Sequence, residues 1–126
     1  MSFGMGIAIG FLKKNLSRKV VVILGDGECN EGSIWETAAS ASELGVNNLL
    51  AIVDENGFRN DGPNSTYQFN ASLKKIWKSF GWNVIEIKDG NNYEKIIDAF
   101  KMMNNKVEKP TVMICKTIKG KGINFM

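Results

Sequence analysis

The sequence predicts an α/β fold in which a doubly wound, mostly parallel sheet carries helices on both faces. Three β-branched apolar runs, at residues 19–24, 49–53 and 111–115, have the length and composition of strands. Such near-continuous hydrophobic runs are typical of strands that are buried on both faces of a parallel sheet. Helical segments alternate with these runs, which favours one domain over residues 1–126.

The remaining elements follow from local patterns along the chain. The predicted helices span residues 6–14, 33–44, 72–80 and 93–104. Asn15 closes the first helix, while Gly45 and Gly81 are placed as C-terminal stops of the second and third. Residues 82–87 alternate like a fourth strand, and the polar stretch at 63–70 predicts a connecting segment.

Two sets of side chains predict packing. Ala38, Ala41 and Ser42 give the second helix a small-residue face that another helix could approach closely, in this core or in a partner. Large aromatics dominate core and interface energetics, so the aromatic side chains are predicted to pack in the core or at a dimer interface. This set is Trp35, Trp77, Trp82, Phe80 and Phe100.

Polar groups follow two of the predicted strands directly. Gly25-Asp26-Gly27 ends the first run, and Asp54 and Asn56 end the second. Ligands bind beyond the carboxyl ends of parallel strands, so both groups are expected on one rim. Carboxylate and carboxamide oxygens suit Mg²⁺ or Ca²⁺, and glycines let backbone N–H groups approach a phosphate. The pattern predicts a site for a metal and a diphosphate.

Two other interpretations of these residues stay open. Gly-Asp-Gly is also a common turn, and a nucleotide-binding sheet without a metal would place polar residues at the same edge. However, the sequence has no G-x-G-x-x-G after a strand and no G-x-x-x-x-G-K-[ST]. Both familiar phosphate loops are therefore disfavoured.

Composition argues against several classes of function. The net charge of +3 comes from dispersed lysines and arginines without a binding motif, which disfavours a nucleic-acid partner. The chain has no His, and Cys29 and Cys115 lack metal-ligand spacing, so zinc sites and His-activated nucleophiles are disfavoured. Both cysteines are expected to be passive, Cys115 in the core. The apolar start is too short to span a bilayer, so we expect no membrane association and a cytoplasmic location.

Three segments carry a resemblance to a known family. Residues 25–36 (GDGECNEGSIWE), 54–62 (DENGFRNDG) and 116–122 (KTIKGKG) resemble the amino-terminal, thiamine diphosphate-binding domain of transketolase. The similarity is closest to the split form, in which this domain is a separate subunit. Related thiamine diphosphate enzymes share the Gly-Asp-Gly and the Asn, but not the Glu-Gly-x-x-Trp-Glu continuation.

The resemblance implies a role for each site residue. Asp26 and Asn56 would ligate Mg²⁺ (or Ca²⁺) through side-chain oxygens and Phe58 through its backbone carbonyl, and Gly25 and Gly27 would lie against the diphosphate. The backbone near Phe3 matches the segment beside the aminopyrimidine, although Met1 stands where the family has glycine. Glu31 matches an interface glutamate linked to the partner carboxylate that activates the cofactor. By position alone, Glu31 could instead stabilise a helix N-terminus.

The resemblance also implies partners. Family members have a preceding segment and a following histidine that this sequence does not include, so we expect a domain trimmed at both ends. Two-carbon ketol transfer between sugar phosphates would need a C-terminal subunit with the pyrimidine-binding domain, in a homo-oligomer or heterotetramer. The alternative functions are an unrelated nucleotide-binding sheet and an inactive structural subunit.

Overall fold

The computed structural model describes residues 1–59, 62–63, 71–103 and 108–125. The elements within these ranges are α1 (Ser2–Lys13), β1 (Val20–Gly25), a 3₁₀ turn (Glu28–Asn30), α2 (Gly32–Glu43), β2 (Leu49–Glu55), β3 (Phe58–Arg59), β4 (Gly62–Pro63), α3 (Leu73–Ser79), β5 (Asn83–Ile87), α4 (Tyr93–Met102) and β6 (Thr111–Lys116). Alternation of strands and helices confirms the predicted α/β class.

Four of the strands form the central sheet. Their order across the sheet is β1-β2-β6-β5, and every neighbouring pair is parallel. Because the strands are parallel, their carboxyl ends lie at one edge of the sheet. The short strands β3 and β4 form a separate antiparallel pair beyond β2.

Helices cover both faces of the sheet, as the sequence predicts. Leu49, Ala51 and Val53 of β2 pack in one core with residues from α1, α2 and α3. Leu50, between them in the chain, packs on the opposite face in a second cluster that includes Ala99 of α4. Successive residues of a strand point to opposite faces, so a run of consecutive apolar residues is what a doubly covered strand requires.

The three tryptophans form a connected cluster in the larger core. Trp35 stacks on Phe80 with ring centroids 5.5 Å apart, and Trp77 contacts both Trp35 and Trp82 at 5.1 and 4.8 Å. All three tryptophans are buried, which confirms the predicted core packing. Phe100 of α4 is exposed instead, so for that residue only the predicted dimer contact stays open.

The small face of α2 serves this chain's own core. Ala38 and Ala41 are fully buried, and the indole N–H of Trp82 donates to the Ala38 carbonyl at 2.8 Å. Gly81 lies so close that a Cβ there would come within 2.5 Å of the Ser42 hydroxyl oxygen. The close approach to α2 seen here therefore comes from the segment that precedes β5, whereas the sequence predicted another helix.

Several predicted bounds were wrong. The first helix begins at Ser2 instead of residue 6, because Gly4 packs against β1: a Cβ there would lie 2.4 Å from a methyl group of Val22. Packing thus overrides the low helix propensity of glycine. The predicted strand at 82–87 begins at Asn83, since Trp82 turns into the core.

Two of the predicted segments extend into residues that lie outside the described ranges. The fourth helix ends at Met102, and residue 104, its predicted end, lies outside the described residues. Of the polar stretch predicted at 63–70, residues 64–70 also lie outside the described residues. Across the described ranges, every helix is too short or too polar to cross a membrane.

Candidate functional site

The predicted site residues meet in a cavity at the carboxyl ends of β1 and β2. Gly25 and Asp54 are register partners in these parallel strands, so the loops that follow leave the sheet side by side. The cavity has a volume of about 550 Å³. Its lining comprises Gly25, Asp26, Gly27, Glu28, Glu31, Asn56, Phe58, Arg59 and Lys119.

Asp26 is the buried charged group of this cavity. It is 0% exposed, and one carboxylate oxygen, Oδ2, accepts a 2.8 Å hydrogen bond from the Gly57 N–H. The other oxygen, Oδ1, is also buried and has no hydrogen-bond partner within the described ranges. An ionised carboxylate in this state carries a large desolvation cost, which a cation facing Oδ1 would offset.

Asn56 lies beside Asp26 with its amide group held on both sides. Its nitrogen Nδ2 donates to Asp54 Oδ2 at 3.0 Å, and its oxygen Oδ1 accepts from the Phe58 N–H at 2.9 Å. A carboxamide oxygen has two lone pairs, so Oδ1 retains acceptor capacity.

This donor set fits a hard divalent cation. It combines a buried carboxylate oxygen that has no partner among the described residues with a carboxamide oxygen, and Phe58 lines the same cavity. Mg²⁺ is commonly held by one or two such protein oxygens together with substrate phosphates. Clusters of three His, Cys, Asp or Glu side chains, the set that a site built from protein alone would use, do not occur in the described part of the chain.

The two glycines that flank Asp26 differ in whether a side chain would fit. A Cβ at Gly27 would lie 3.1 Å from Cγ and 3.3 Å from Cα of Arg59, so β3 passes directly over this residue. A Cβ at Gly25 would meet nothing within 4 Å. The Gly25 N–H points to the Glu28 carboxylate at 3.4 Å, an anionic partner where a phosphate oxygen could also bind.

The 3₁₀ turn is anchored by a contact that sequence reasoning missed. The indole N–H of Trp35 donates a buried 2.8 Å hydrogen bond to the Cys29 carbonyl. Cys29 itself is buried, and this burial, followed by the charges of Glu28, Asp26 and Glu55, raises the pKa of its thiol to about 12. The thiol is therefore neutral and passive. In the sequence, the signal that could have indicated the hydrogen bond from Trp35 is its separation of six positions from Cys29.

Charged side chains surround the mouth of the cavity. Glu31 stands at the N-cap of α2 but makes no side-chain capping bond, and it faces the cavity. Lys119 places its ammonium group 5.3 Å from the centroid of the Phe58 ring. Lys119 and Arg59 both line the cavity. Lys119 belongs to segment 116–122, which the resemblance places at the mouth of the active site, whereas Arg59 was not predicted to have a specific role.

Phe3 is the predicted site residue that lies apart from this cavity. It occupies the first turn of α1, its side chain is 84% exposed, and it is absent from the lining set. Met1, two residues earlier, packs against the large core. The predicted contact of the Phe3 backbone with a cofactor stays a prediction.

These features define an α/β domain with a cavity beyond the carboxyl ends of its parallel strands. The sequence profile of the "Transketolase, thiamine diphosphate binding domain" matches residues 13–125. The chain therefore belongs to the transketolase family and contains its thiamine diphosphate-binding domain.

Individual relatives agree with this assignment. The chain is 35% identical over its full length to an apulose-4-phosphate transketolase subunit of Phocaeicola vulgatus, and spans 44% of that protein. It is 35% identical over 98% of its length to the 6-deoxy-6-sulfo-D-fructose transketolase subunit SqwG of a Clostridium species, and spans 45% of it. The crystal structure of Campylobacter jejuni transketolase superimposes with a TM-score of 0.81 at 26% identity, over 90% of this chain and 18% of that one.

Proposed function

We propose that this chain is the diphosphate-binding half of a transketolase-like enzyme that transfers a two-carbon ketol unit between sugar phosphates. Catalysis would require thiamine diphosphate, Mg²⁺ and a partner chain with the pyrimidine-binding domain. The observation that carries the proposal is the buried Asp26 carboxylate, which lines the cavity and whose Oδ1 has no hydrogen-bond partner among the described residues.

Six of the residues that line the cavity have a task in this proposal. Mg²⁺ would be held by Asp26 Oδ1, Asn56 Oδ1 and the Phe58 carbonyl oxygen, and would neutralise the charge of the diphosphate. Gly27 admits the diphosphate because it carries no side chain, and Lys119 adds a positive charge at the mouth. Glu31 meets the partner chain from the N-terminus of α2. Thiamine diphosphate, when bound, supplies the carbanion chemistry of ketol transfer.

The content of this chain supports the proposed dependence on a partner. The sequence has no His, and the cavity offers two exposed carboxylates, Glu28 and Glu31, at its mouth. Neither has the water-excluded surroundings that favour an activating acid. The chain also spans less than half of the two relatives described above, both named as transketolase subunits. A second chain would supply the missing groups.

The test is a calorimetric titration of thiamine diphosphate into the wild-type chain, with Mg²⁺ and then with a chelator. We expect binding that needs the metal, is lost in Asp26→Ala and is retained in Asp98→Ala. Asp98 is the matched control because its carboxylate is exposed on α4, away from the cavity.

Two results would contradict the proposal. The first is a wild-type chain that binds no thiamine diphosphate even when the pyrimidine-binding chain is present, which would favour a structural subunit. The second is full ketol transfer by this chain alone, which would contradict the partner dependence. Binding of nucleotides regardless of an Asn56→Ala substitution would favour the nucleotide-binding alternative.

A further inference from the structure

Asp54 lies behind the proposed metal site and uses both carboxylate oxygens within the fold. Oδ2 accepts from the Asn56 Nδ2 at 3.0 Å, and Oδ1 accepts from the Thr117 hydroxyl. Asp54 is half-buried and does not line the cavity. Its carboxylate is therefore committed to neighbouring side chains and not directed at a ligand.

The contact with Asp54 decides which atom Asn56 presents. A carboxamide has an oxygen acceptor and a nitrogen donor of nearly the same shape, and only the oxygen can ligate a hard cation. An ionised carboxylate accepts hydrogen bonds and cannot donate them, so the nitrogen of Asn56 must face Asp54. The oxygen then faces the opposite way, where it also receives the Phe58 N–H at 2.9 Å.

Thr117 brings a third strand into this arrangement. It follows β6 directly, 63 positions after Asp54 in the chain, and its own N–H donates to the Glu55 carbonyl at 3.2 Å. The Asp54 carbonyl in turn accepts from the Asp26 N–H at 3.1 Å. The ends of β1, β2 and β6 are thus tied together directly behind the two proposed metal ligands.

We propose that Asp54 is a positioning residue that orients the Asn56 carboxamide so that its oxygen faces the cation, and that Thr117 holds Asp54 for this purpose. The inference rests on the proposed function, since it takes Asn56 as a metal ligand. Supporting groups of this kind fix the orientation of metal ligands, and their loss typically weakens metal binding about 10–100-fold.

The first experiment measures the orientation without any ligand. In the metal-free protein, the side-chain NH₂ resonances of Asn56, assigned by their loss in Asn56→Ala, are expected at positions typical of a hydrogen-bonded amide. In Asp54→Leu and in Thr117→Val they should move towards the values of a solvent-exposed amide. If Asp54→Leu does not fold, Thr117→Val carries the test.

The second experiment measures Mg²⁺ affinity by calorimetry in the presence of thiamine diphosphate. Thr117→Val is expected to bind Mg²⁺ about 10-fold more weakly, and Thr117→Ser should restore affinity because it keeps the hydroxyl. Thr111→Val is the matched control: Thr111 is buried at the opposite end of the same strand, and its replacement should leave affinity unchanged.

The outcomes separate the inference from the proposed function. Unchanged Asn56 amide resonances in both variants overturn the inference, and so do shifted resonances with unchanged Mg²⁺ affinity. An equal loss of affinity in Thr111→Val also overturns it, because the effect would then be general. If the wild type binds no Mg²⁺ in the presence of thiamine diphosphate, the proposed function fails. The role of Asp54 as a positioning residue for a metal ligand is then overturned as well. The resonances still report the orientation of the Asn56 amide in that case.

Discussion

The Asp26 carboxylate accepts a 2.8 Å hydrogen bond from the Gly57 N–H, and this contact joins the loops after β1 and β2. Gly57 has a φ of +79°, a left-handed conformation that favours glycine over other residues. The loop after β2 therefore turns so that a backbone donor reaches one oxygen of Asp26. The second oxygen remains buried, without a hydrogen-bond partner among the described residues, and is the one that we propose binds the metal.

Replacement of Asp26 by asparagine should separate stability from metal binding. The new carboxamide would keep an acceptor for the Gly57 N–H while the substitution removes a buried charge, whose desolvation disfavours the metal-free fold. We expect the free energy of unfolding without metal to be unchanged or to rise by up to about 2 kcal/mol. Metal-dependent binding of thiamine diphosphate should weaken by about 100-fold or more.

Urea denaturation with chelator, followed by calorimetry with Mg²⁺, measures both quantities. Asp98→Asn on the exposed side of α4 should change stability by less than about 0.5 kcal/mol and leave binding intact. A clear loss of stability in metal-free Asp26→Asn would show that the ionised carboxylate is favourable by itself, contrary to this prediction.

A methyl group at Gly27 should disturb the cavity by displacing β3. The Cβ of Gly27→Ala would lie 3.3 Å from the Arg59 Cα, so the backbone of β3 must shift by a few tenths of an ångström. We expect a loss of about 1–3 kcal/mol in stability, as for overpacked sites, together with weaker cofactor binding. Thermal unfolding and the calorimetric titration measure the two effects.

Gly32→Ala is the matched control for this substitution. Gly32 is the first residue of α2, and a Cβ there meets nothing within 4 Å, so alanine should be neutral or stabilise the helix by up to about 1 kcal/mol. Equal stability of the two variants would mean that β3 yields freely at Gly27.

The sheet and most of the site could be predicted because their signals are local. Each buried strand is one continuous apolar run, and polar residues follow β1 and β2 directly. Parallel pairing then brings Asp26 and Asn56 to one rim without any knowledge of long-range contacts. The alternating signal for β5 was equally local, although Trp82 was included in it.

The missed features depend on contacts between distant parts of the chain. The start of α1 at Ser2 requires Val22 to lie against Gly4, and the role of Thr117 requires β6 to lie beside β2. The β3–β4 pair consists of two residues on each strand, too short for any periodic pattern. Such features become visible only when the fold is known.

Cys29 should make stability depend on pH under alkaline conditions. Burial raises the pKa of its thiol from 9.0 to about 12 in the folded chain, whereas the unfolded chain titrates near the ordinary value. Between these values the unfolded state loses the proton and the folded state keeps it, so stability is full below about pH 9 and falls as the pH rises.

The expected size follows from the proton linkage. Each pH unit in this window removes about 1.4 kcal/mol, so at about pH 10.5 the wild type should have lost about 2 kcal/mol relative to pH 8 through Cys29. Lysine and tyrosine also titrate in this range, so Cys29→Ala provides the reference. Urea denaturation at both values should show a larger decrease for the wild type than for Cys29→Ala; equal decreases would mean that the thiol is accessible to solvent.

The contact between Trp35 and the 3₁₀ turn can be isolated by comparing two tryptophans. Trp35 donates to the Cys29 carbonyl at 2.8 Å, while the Nε1 of Trp77, in the same aromatic cluster, is buried without a partner in the described ranges. Substitution by Phe removes the same atoms in both cases. Only at Trp35 does it also leave a buried carbonyl without its donor.

Trp35→Phe should therefore cost more than Trp77→Phe, by about 1–2 kcal/mol in the free energy of unfolding. Trp77→Phe removes a buried N–H donor that has no partner among the described residues. This gain offsets part of the free energy that is lost because the smaller ring leaves a cavity. Chemical denaturation of both variants measures the difference. Since Trp35 holds the turn that directly follows Asp26 and Gly27, Trp35→Phe should also weaken thiamine diphosphate binding, whereas Trp77→Phe should not. Equal costs and equal affinities would show that Trp35 acts through packing alone.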